Sequence, residues 1–252
     1  MSELVWTTFV AALLTALATG LGALPFIFVR NLSRRWQGRS AALAGGMMLS
    51  ASVFSLSGEA LRRGPPWELG LGMLGGALFL STASRLVEGR HWKISGLSEK
   101  DSRKGILVLV GMSIHSIPEG IAIGVGYATG ELEFGFLVAL VIAVHNIPEG
   151  IAISLPLRAR GVSVLHCIYY SVLSSFPQPL AAVPAVLAVS FFQSLLPAGL
   201  GFAAGAMIFL VVAELLPESL DDASCGPKET AWWLVVGTVV MLVLAVPASM
   251  TP

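Results

Sequence analysis

The segment IHSIPEGIAIGVG, residues Ile114–Gly126, is followed thirty residues later by VHNIPEGIAISLP, residues Val144–Pro156. Each copy places a histidine, a proline, a glutamate and a glycine at the same spacing inside an apolar stretch. From each histidine onward, nine residues match at every position except the second, where serine stands opposite asparagine. We call residues 115–120 and 145–150 the two boxes. Polar groups are costly in apolar surroundings, so their repetition at one spacing indicates a function.

The rest of the chain has the composition of a membrane protein. Of its 252 residues, 55% are hydrophobic and 12% are charged, about half the charged fraction of a soluble domain. The net charge is zero, which gives no indication of a nucleic-acid partner. A membrane helix needs roughly 20 apolar residues. The sequence predicts an all-α protein, one transmembrane domain over residues 1–252, with eight spans: Val5–Val29, Ser40–Ala60, Leu69–Val87, Gly105–Ala128, Gly135–Leu157, Val164–Val189, Ala198–Pro217 and Ala231–Met250.

The basic residues are distributed unevenly over the loops, where loop 1 follows span 1 and so on. Only Arg62 and Arg63, of the 15 basic residues, fall in an even-numbered loop. Basic loops remain in the cytoplasm, so we expect loops 1, 3, 5 and 7 to be cytoplasmic and both termini to lie outside. The others are in or beside odd-numbered loops: Arg30, Arg34, Arg35, Arg39, Arg85, Arg90, Lys93, Lys100, Arg103, Lys104, Arg158, Arg160 and Lys228.

A second and weaker repeat relates span 2 to span 7. The segments Ala44–Leu61 and Ala203–Leu220 share six residue types in register, among them Gly46 with Gly205 and Glu59 with Glu218. Apolar segments also match by chance, so the sequence leaves this repeat open. Both repeats pair spans of opposite direction, which is typical of inverted-repeat transporters.

The histidine and glutamate of each box lie four residues apart, His115 with Glu119 and His145 with Glu149. This spacing places both side chains on one helical face. Each histidine is about ten residues into its span, roughly 15 Å or half the hydrocarbon thickness. Because loop 4 is short, we expect spans 4 and 5 to be antiparallel neighbours whose boxes face each other at mid-membrane.

Two carboxylates at this depth need neutralising charge. One divalent cation supplies it, and two imidazoles complete a four-ligand set of two nitrogens and two oxygens. This set suits zinc best, then iron, manganese, cobalt or nickel, whereas calcium and magnesium prefer oxygen ligands alone. Pro118 and Pro148 cannot donate a backbone hydrogen bond, so the carbonyl four residues before each is expected to need a partner from a neighbouring helix, water or an ion. Gly120 and Gly150 are expected to allow another helix to approach closely.

Three other interpretations remain open. The histidines and glutamates could pair only with each other, or relay protons in a transporter whose solute is not a metal. An intramembrane metal-dependent hydrolase is the third. The enzyme is disfavoured, because neither the H-E-x-x-H metalloprotease motif nor the Glu-x-x-His motif of di-iron bundles is present. Ala122 and Ala152 stand three residues after the glutamates.

HSIPEG at 115–120, HNIPEG at 145–150 and the eight-span pattern resemble the ZIP (Zrt/Irt-like) metal transporters of the bacterial zinc-uptake and GufA-like type. The resemblance implies that spans 1–3 and 6–8 form inverted repeats around spans 4 and 5. It also implies transport of divalent metal into the cytoplasm, often by a dimer. The short loops and the lack of appended domains favour the plasma (inner) membrane of a prokaryote, and we expect no enzymatic activity and no cofactor. Zinc is the expected substrate, followed by Fe²⁺, Mn²⁺, Cd²⁺, Co²⁺ and Ni²⁺.

The resemblance also implies a main site of His115, Glu119, His145 and Glu149, and a second site beside it. At the second site the residues after the histidines are Ser116, where asparagine is usual, and Asn146. In span 6, Gln178 stands where relatives carry glutamate. Because these three residues are neutral, we expect one tightly bound metal ion.

Five further polar residues have two interpretations each. Glu59 is either an entrance carboxylate or an interfacial one, and Glu214 and Glu218 are either exit ligands or interfacial residues. His166 is an exit ligand or an interface histidine, and His91 in loop 3 is a weak ligand or simply solvated. Gln178 lies between Pro177 and Pro179, which predicts a broken helix that lines the path in span 6. The alternative for Gln178 is an inter-helix hydrogen bond. The methionines are expected to be packing residues.

Overall fold

The computed structural model describes residues 2–29, 33–88, 99–159, 161–221 and 225–249. Within these ranges the chain is helical and has no strand. Four spans are single helices: α4 Pro66–Glu88 (span 3), α5 Glu99–Ala128 (span 4), α6 Leu132–Ala159 (span 5) and α11 Pro227–Ser249 (span 8). Span 1 consists of α1 Ser2–Leu21 and a 3₁₀ turn Leu24–Ile27, and span 6 of α7 Val164–Ser175 and α8 Pro177–Phe191. Spans 2 and 7 each contain a π segment: span 2 consists of α2 Arg34–Ser50, the π segment Ala51–Leu56 and α3 Ser57–Arg63, and span 7 of a 3₁₀ turn Gln193–Leu195, α9 Leu196–Leu210, the π segment Val211–Leu215 and α10 Leu216–Leu220.

The order of the predicted spans is confirmed, but most of the predicted spans are shorter than the observed helices. In the described ranges, seven helical segments are long and apolar enough to cross a membrane, and span 4 is a 30-residue helix. Spans 2 and 4 begin six residues earlier than predicted, at Arg34 and Glu99. Arginine, lysine and glutamate are good helix formers, so these helices continue into polar sequence. Arg30, Arg90, His91, Lys93, Arg160 and Met250 lie outside the described residues.

The spans pack in two groups. Span 3 lies along span 7 and span 8 along span 2, while span 4 lies along the second half of span 6 and span 1 contacts spans 5 and 6. Spans 4 and 5 are neighbours, as predicted, and the groups meet where span 5 contacts span 2 and span 4 contacts span 7. The boxes therefore lie where the two groups adjoin.

Irregular segments interrupt several spans, but not at the boxes. The helix continues through Pro118 and Pro148, although neither proline has an N–H to donate to the carbonyl four residues before it. Span 6 is interrupted at Phe176, directly before Pro177, and this predicted break is confirmed. The π segments of spans 2 and 7 end at Leu56 and Leu215, which are matching positions of the weak repeat.

Ion pairs mark the two ends of the bundle. Where spans 2 and 8 begin, Arg35 and Arg39 contact Glu229 at 2.8 and 2.6 Å. At the opposite end, Arg63 contacts Glu59 at 2.5 Å and also pairs with Glu131 of loop 4. Loops 1 and 7 thus share one end, and loops 2 and 4 the other.

Candidate metal site

Three of the four predicted main-site ligands come together. Glu119, His145 and Glu149 each offer a ligand atom, and these atoms lie within 4.8 Å of one another. All three side chains are buried. The four-residue spacing places His145 and Glu149 on one face of span 5, and span 4 brings Glu119 to the same point. The short loop 4 between antiparallel helices allows this meeting.

The ligand cluster has unused coordinating atoms. His145 Nε2 lies 3.1 Å from Glu119 Oε1, so a histidine–glutamate pair does exist across spans 4 and 5. Nδ1 of His145 and Oε1 of Glu149, however, have no hydrogen-bond partner among the described residues, although both are buried. Buried polar atoms are normally paired. Simple pairing therefore accounts for only part of the cluster, and a donor set of imidazole and carboxylates suits zinc and related divalent ions.

The fourth predicted ligand, His115, is not among the three residues of this cluster. It is buried, and its Nε2 is 2.9 Å from Oε2 of Glu214 in span 7. The contact is at ion-pair distance but is not aligned as a hydrogen bond. Glu214 belongs to the π segment of span 7, and a π segment shifts the helical register locally. The structure thus places His115 in contact with Glu214 of span 7.

Glu214 and Glu218 continue from His115 toward one end of the bundle. The hydroxyl of Ser84, near the end of span 3, is 3.3 Å from Glu214 Oε1. Gln37, in the first turns of span 2, donates to Glu218 Oε1 at 2.6 Å. The Glu214 side chain is 37% exposed. The two carboxylates therefore lie between buried His115 and the end of the bundle where span 2 begins and span 3 ends.

Gln178 is placed against the cluster by the break in span 6. Its side chain is fully buried, and Nε2 donates to Oε2 of Glu119. Asn146 Nδ2 donates to the Thr15 carbonyl oxygen at 2.9 Å and lies 3.4 Å from Gln178 Oε1. Ser116 donates to the Ser174 carbonyl oxygen at 3.1 Å. Through these atoms, the three residues expected at a second metal site therefore interact with other groups of the protein.

Glycine permits the close packing around the cluster. A Cβ on Gly120 would collide with the carbonyl oxygen of Gln178 in span 6, and a Cβ on Gly150 with that of Thr19 in span 1. The prediction that both box glycines admit a neighbouring helix is confirmed. The short approach brings spans 1 and 6 within hydrogen-bonding reach of the boxes.

Sequence reasoning missed Thr15. Its hydroxyl lies 2.7 Å from Gln178 Oε1 and 2.7 Å from the Ala12 carbonyl oxygen. Thr8, Thr15 and Thr19 are all buried, and their spacings of seven and four residues place them on one helical face. The stripe of threonines in an otherwise apolar span is the sequence signal that could have identified this face.

The remaining polar residues favour structural roles. Glu59 is buried but contacts both Arg62 and Arg63, which favours the interfacial interpretation over a free entrance carboxylate. His166 is exposed and its Nδ1 is 2.7 Å from Ser163 Oγ, as expected of an interface histidine. Met48 and Met207 are buried in the apolar core, which agrees with a packing role.

Comparison with known proteins gives a consistent result. The family model described as "ZIP Zinc transporter" matches residues 95–245, more than half of the chain. The zinc transporter GufA of Myxococcus xanthus is 37% identical over 247 residues, covering 93% of this chain and 96% of its own length. The zinc transporter ZIPB of Bordetella bronchiseptica is 36% identical over 239 residues, covering 90% and 76%.

A relative from Arabidopsis thaliana is 41% identical over 219 residues, which are 86% of this chain but 35% of the relative. This chain thus spans about a third of that protein and nearly all of GufA. The resemblance noted from the boxes and the expectation of divalent-metal transport are both confirmed at the level of the family. A buried cluster of histidine and glutamate on neighbouring membrane helices, together with these matches, shows that the chain belongs to the ZIP family of zinc transporters.

Proposed function

We propose that this protein moves divalent metal, with zinc as the preferred substrate, across the membrane into the cytoplasm by way of the ligand cluster Glu119, His145 and Glu149. The observation that carries the proposal is the convergence of these three buried ligands within 4.8 Å. One divalent cation neutralises both carboxylates, which otherwise carry a large desolvation cost. Fe²⁺, Mn²⁺, Cd²⁺, Co²⁺ and Ni²⁺ are secondary substrates, and no enzymatic activity or cofactor is required.

His115 and Glu214 form the next step of the route. Their 2.9 Å contact supports a role in receiving an ion that leaves the cluster, after which Glu218 is the next carboxylate along span 7. This assignment keeps His115 as a metal ligand, as the boxes predicted, but in a second position on the path. Asn146, Ser116 and Gln178 then support the cluster and are not its primary ligands.

The orientation of the chain follows from the charge distribution, and the direction of transport, into the cytoplasm, follows from the resemblance to the family. The loops rich in arginine and lysine are cytoplasmic by the positive-inside rule, which places both termini outside and the Glu214–Glu218 end toward the cytoplasm. The proposed location is the plasma (inner) membrane, and the proposed unit is a single transporter domain that is able to form homodimers. No nucleic-acid partner is proposed, and the spans lie in the lipid bilayer.

Inverted repeats of spans 1–3 and 6–8 belong to the same proposal. Gly46 of span 2 lies against the Leu234 backbone of span 8, and the matching Gly205 of span 7 lies against the Met73 backbone of span 3. Under the repeat, span 3 corresponds to span 8, so the two close approaches are equivalent. The matching π segments of spans 2 and 7 are a second point of support.

Zinc uptake by reconstituted protein tests the proposal. Wild-type protein in proteoliposomes is expected to accumulate zinc with saturation, and Glu149→Gln to bind zinc at least about 100-fold more weakly, because even residues that only support metal ligands are worth roughly 10–100-fold. Glu133→Gln, at the exposed start of span 5, is the matched control and should behave as wild type. Proton flux without zinc uptake by wild-type protein would refute the proposal and favour the proton relay.

A further inference from the structure

The side-chain amide of Gln178 bonds at both ends. Its Nε2 donates to Glu119 Oε2, while its Oε1 lies 2.7 Å from the Thr15 hydroxyl and 3.4 Å from Asn146 Nδ2. The Thr15 hydroxyl has one proton, which it shares between Gln178 and the Ala12 carbonyl oxygen. All the side chains involved are buried, so these bonds are shielded from bulk water.

The orientation of this amide is determined by its neighbours. A rotated amide would place its oxygen against the Glu119 carboxylate and its NH₂ group against the NH₂ group of Asn146. Both contacts would be repulsive. Asn146 is held in turn by its 2.9 Å bond to the Thr15 carbonyl oxygen, so spans 1, 5 and 6 together direct an N–H donor at Glu119.

The two oxygens of Glu119 consequently have different partners. Oε1 faces His145 Nε2 at 3.1 Å inside the ligand cluster, and Oε2 accepts from Gln178. A carboxylate held at both oxygens cannot rotate freely about its terminal torsion. One oxygen is therefore kept in the cluster, and the other is occupied by a neutral donor where a second cation would otherwise approach.

We propose that Thr15, Asn146 and Gln178 form a positioning clamp that orients Glu119 and limits the site to one divalent ion per chain. This inference rests on the proposed function. The cluster has two carboxylates, Glu119 and Glu149, which match the charge of one dication. The clamp residues add no charge, and a second dication a few ångströms away would be strongly repelled.

Purified full-length protein titrated with zinc, with bound metal counted by mass spectrometry, tests the clamp. The wild type should bind one zinc per chain. Gln178→Leu removes the bond to the carboxylate and should weaken binding about tenfold, since hydrogen bonds to charged groups are the stronger kind. Thr15→Val should weaken it about threefold. Thr8→Val is the matched control, because Thr8 is a buried threonine of span 1 whose hydroxyl bonds only to the Leu4 carbonyl oxygen among the described residues.

Two readouts separate positioning from a general structural effect. In proteoliposomes, Thr15→Val should raise the KM for zinc while leaving the maximal rate within about twofold of wild type. Gln178→Glu replaces the neutral donor by a carboxylate of the same size and should strengthen the binding of a second zinc ion, because it supplies one of the two missing negative charges.

Two zinc ions of equal affinity on the wild type would overturn the inference, as would Thr15→Val and Gln178→Leu variants that bind zinc like Thr8→Val. If Gln178→Leu does not fold, the zinc affinities of Thr15→Val and Thr8→Val are sufficient to test the clamp. Failure of the proposed function is a different result, in which the wild type neither binds nor transports zinc.

Discussion

His115 Nε2 lies 2.9 Å from Oε2 of Glu214, so the first histidine of the repeated boxes contacts span 7, whereas its counterpart His145 lies in the ligand cluster with Glu119 and Glu149. The boxes are nearly identical in sequence, but their two histidines have different contacts. Their two histidines should therefore be separable by mutation.

Replacement of each histidine by alanine should give different defects. His145→Ala removes a cluster ligand and should weaken zinc binding at least about 100-fold. His115→Ala should leave the cluster's affinity within about tenfold of wild type but slow uptake, because it acts where the ion leaves. Zinc titration and proteoliposome uptake of both variants measure this. Equal loss of affinity in the two variants would place His115 back among the primary ligands.

The orientation can be measured with an impermeant thiol reagent. In a background of Cys167→Ala and Cys225→Ser, Ser33→Cys should be protected in intact cells, because it lies at the start of span 2 beside basic residues. Glu131→Cys, in loop 4, should be labelled, since the Glu131 side chain is 60% exposed. Labelling of both positions after membrane permeabilisation is the control, and the reverse pattern in intact cells would invert the proposed topology.

The close approaches at the box glycines should be visible in thermal stability. Gly120→Ala and Gly150→Ala force a methyl group into a backbone carbonyl and should lower the free energy of unfolding by about 1–3 kcal/mol. Gly58→Ala, at a helical glycine with no atom within 4 Å of the added Cβ, should have no such cost, because alanine is the better helix former. Thermal unfolding of the purified variants compares them, and equal melting temperatures would contradict the packing described.

Arg63 should matter more than its neighbour Arg62. Arg63 is 26% exposed and contacts buried Glu59 at 2.5 Å, whereas Arg62 is 80% exposed and 3.4 Å away. Arg63→Met leaves Glu59 poorly paired and should cost about 1–3 kcal/mol, while Arg62→Met should cost less than about 1 kcal/mol. Chemical denaturation measures both. Adding Glu59→Gln to Arg63→Met should recover part of the loss, and no recovery would show that Glu59 is not the cause.

Much of this molecule follows from the sequence alone. Long apolar segments are helices in a bilayer because every backbone polar group must be satisfied within the segment, so the number and order of the spans could be predicted. The four-residue spacing of each box places histidine and glutamate on one face for any α-helix. The glycines at 120 and 150 predicted close helix approach, and the Pro177–Gln178–Pro179 stretch predicted the break in span 6.

The tertiary structure decided which polar residues meet. Helical periodicity defines a face but not its rotation toward a neighbour, so it could not assign His145 to the cluster and His115 to Glu214. The partner of His115 lies in the π segment of span 7, and Gln178 has Thr15 of span 1 as a partner. Both depend on how separate helices pack, which is set by side chains far apart in the chain. The sequence therefore determined the ligand types, and the packing of spans 1, 6 and 7 determined their roles.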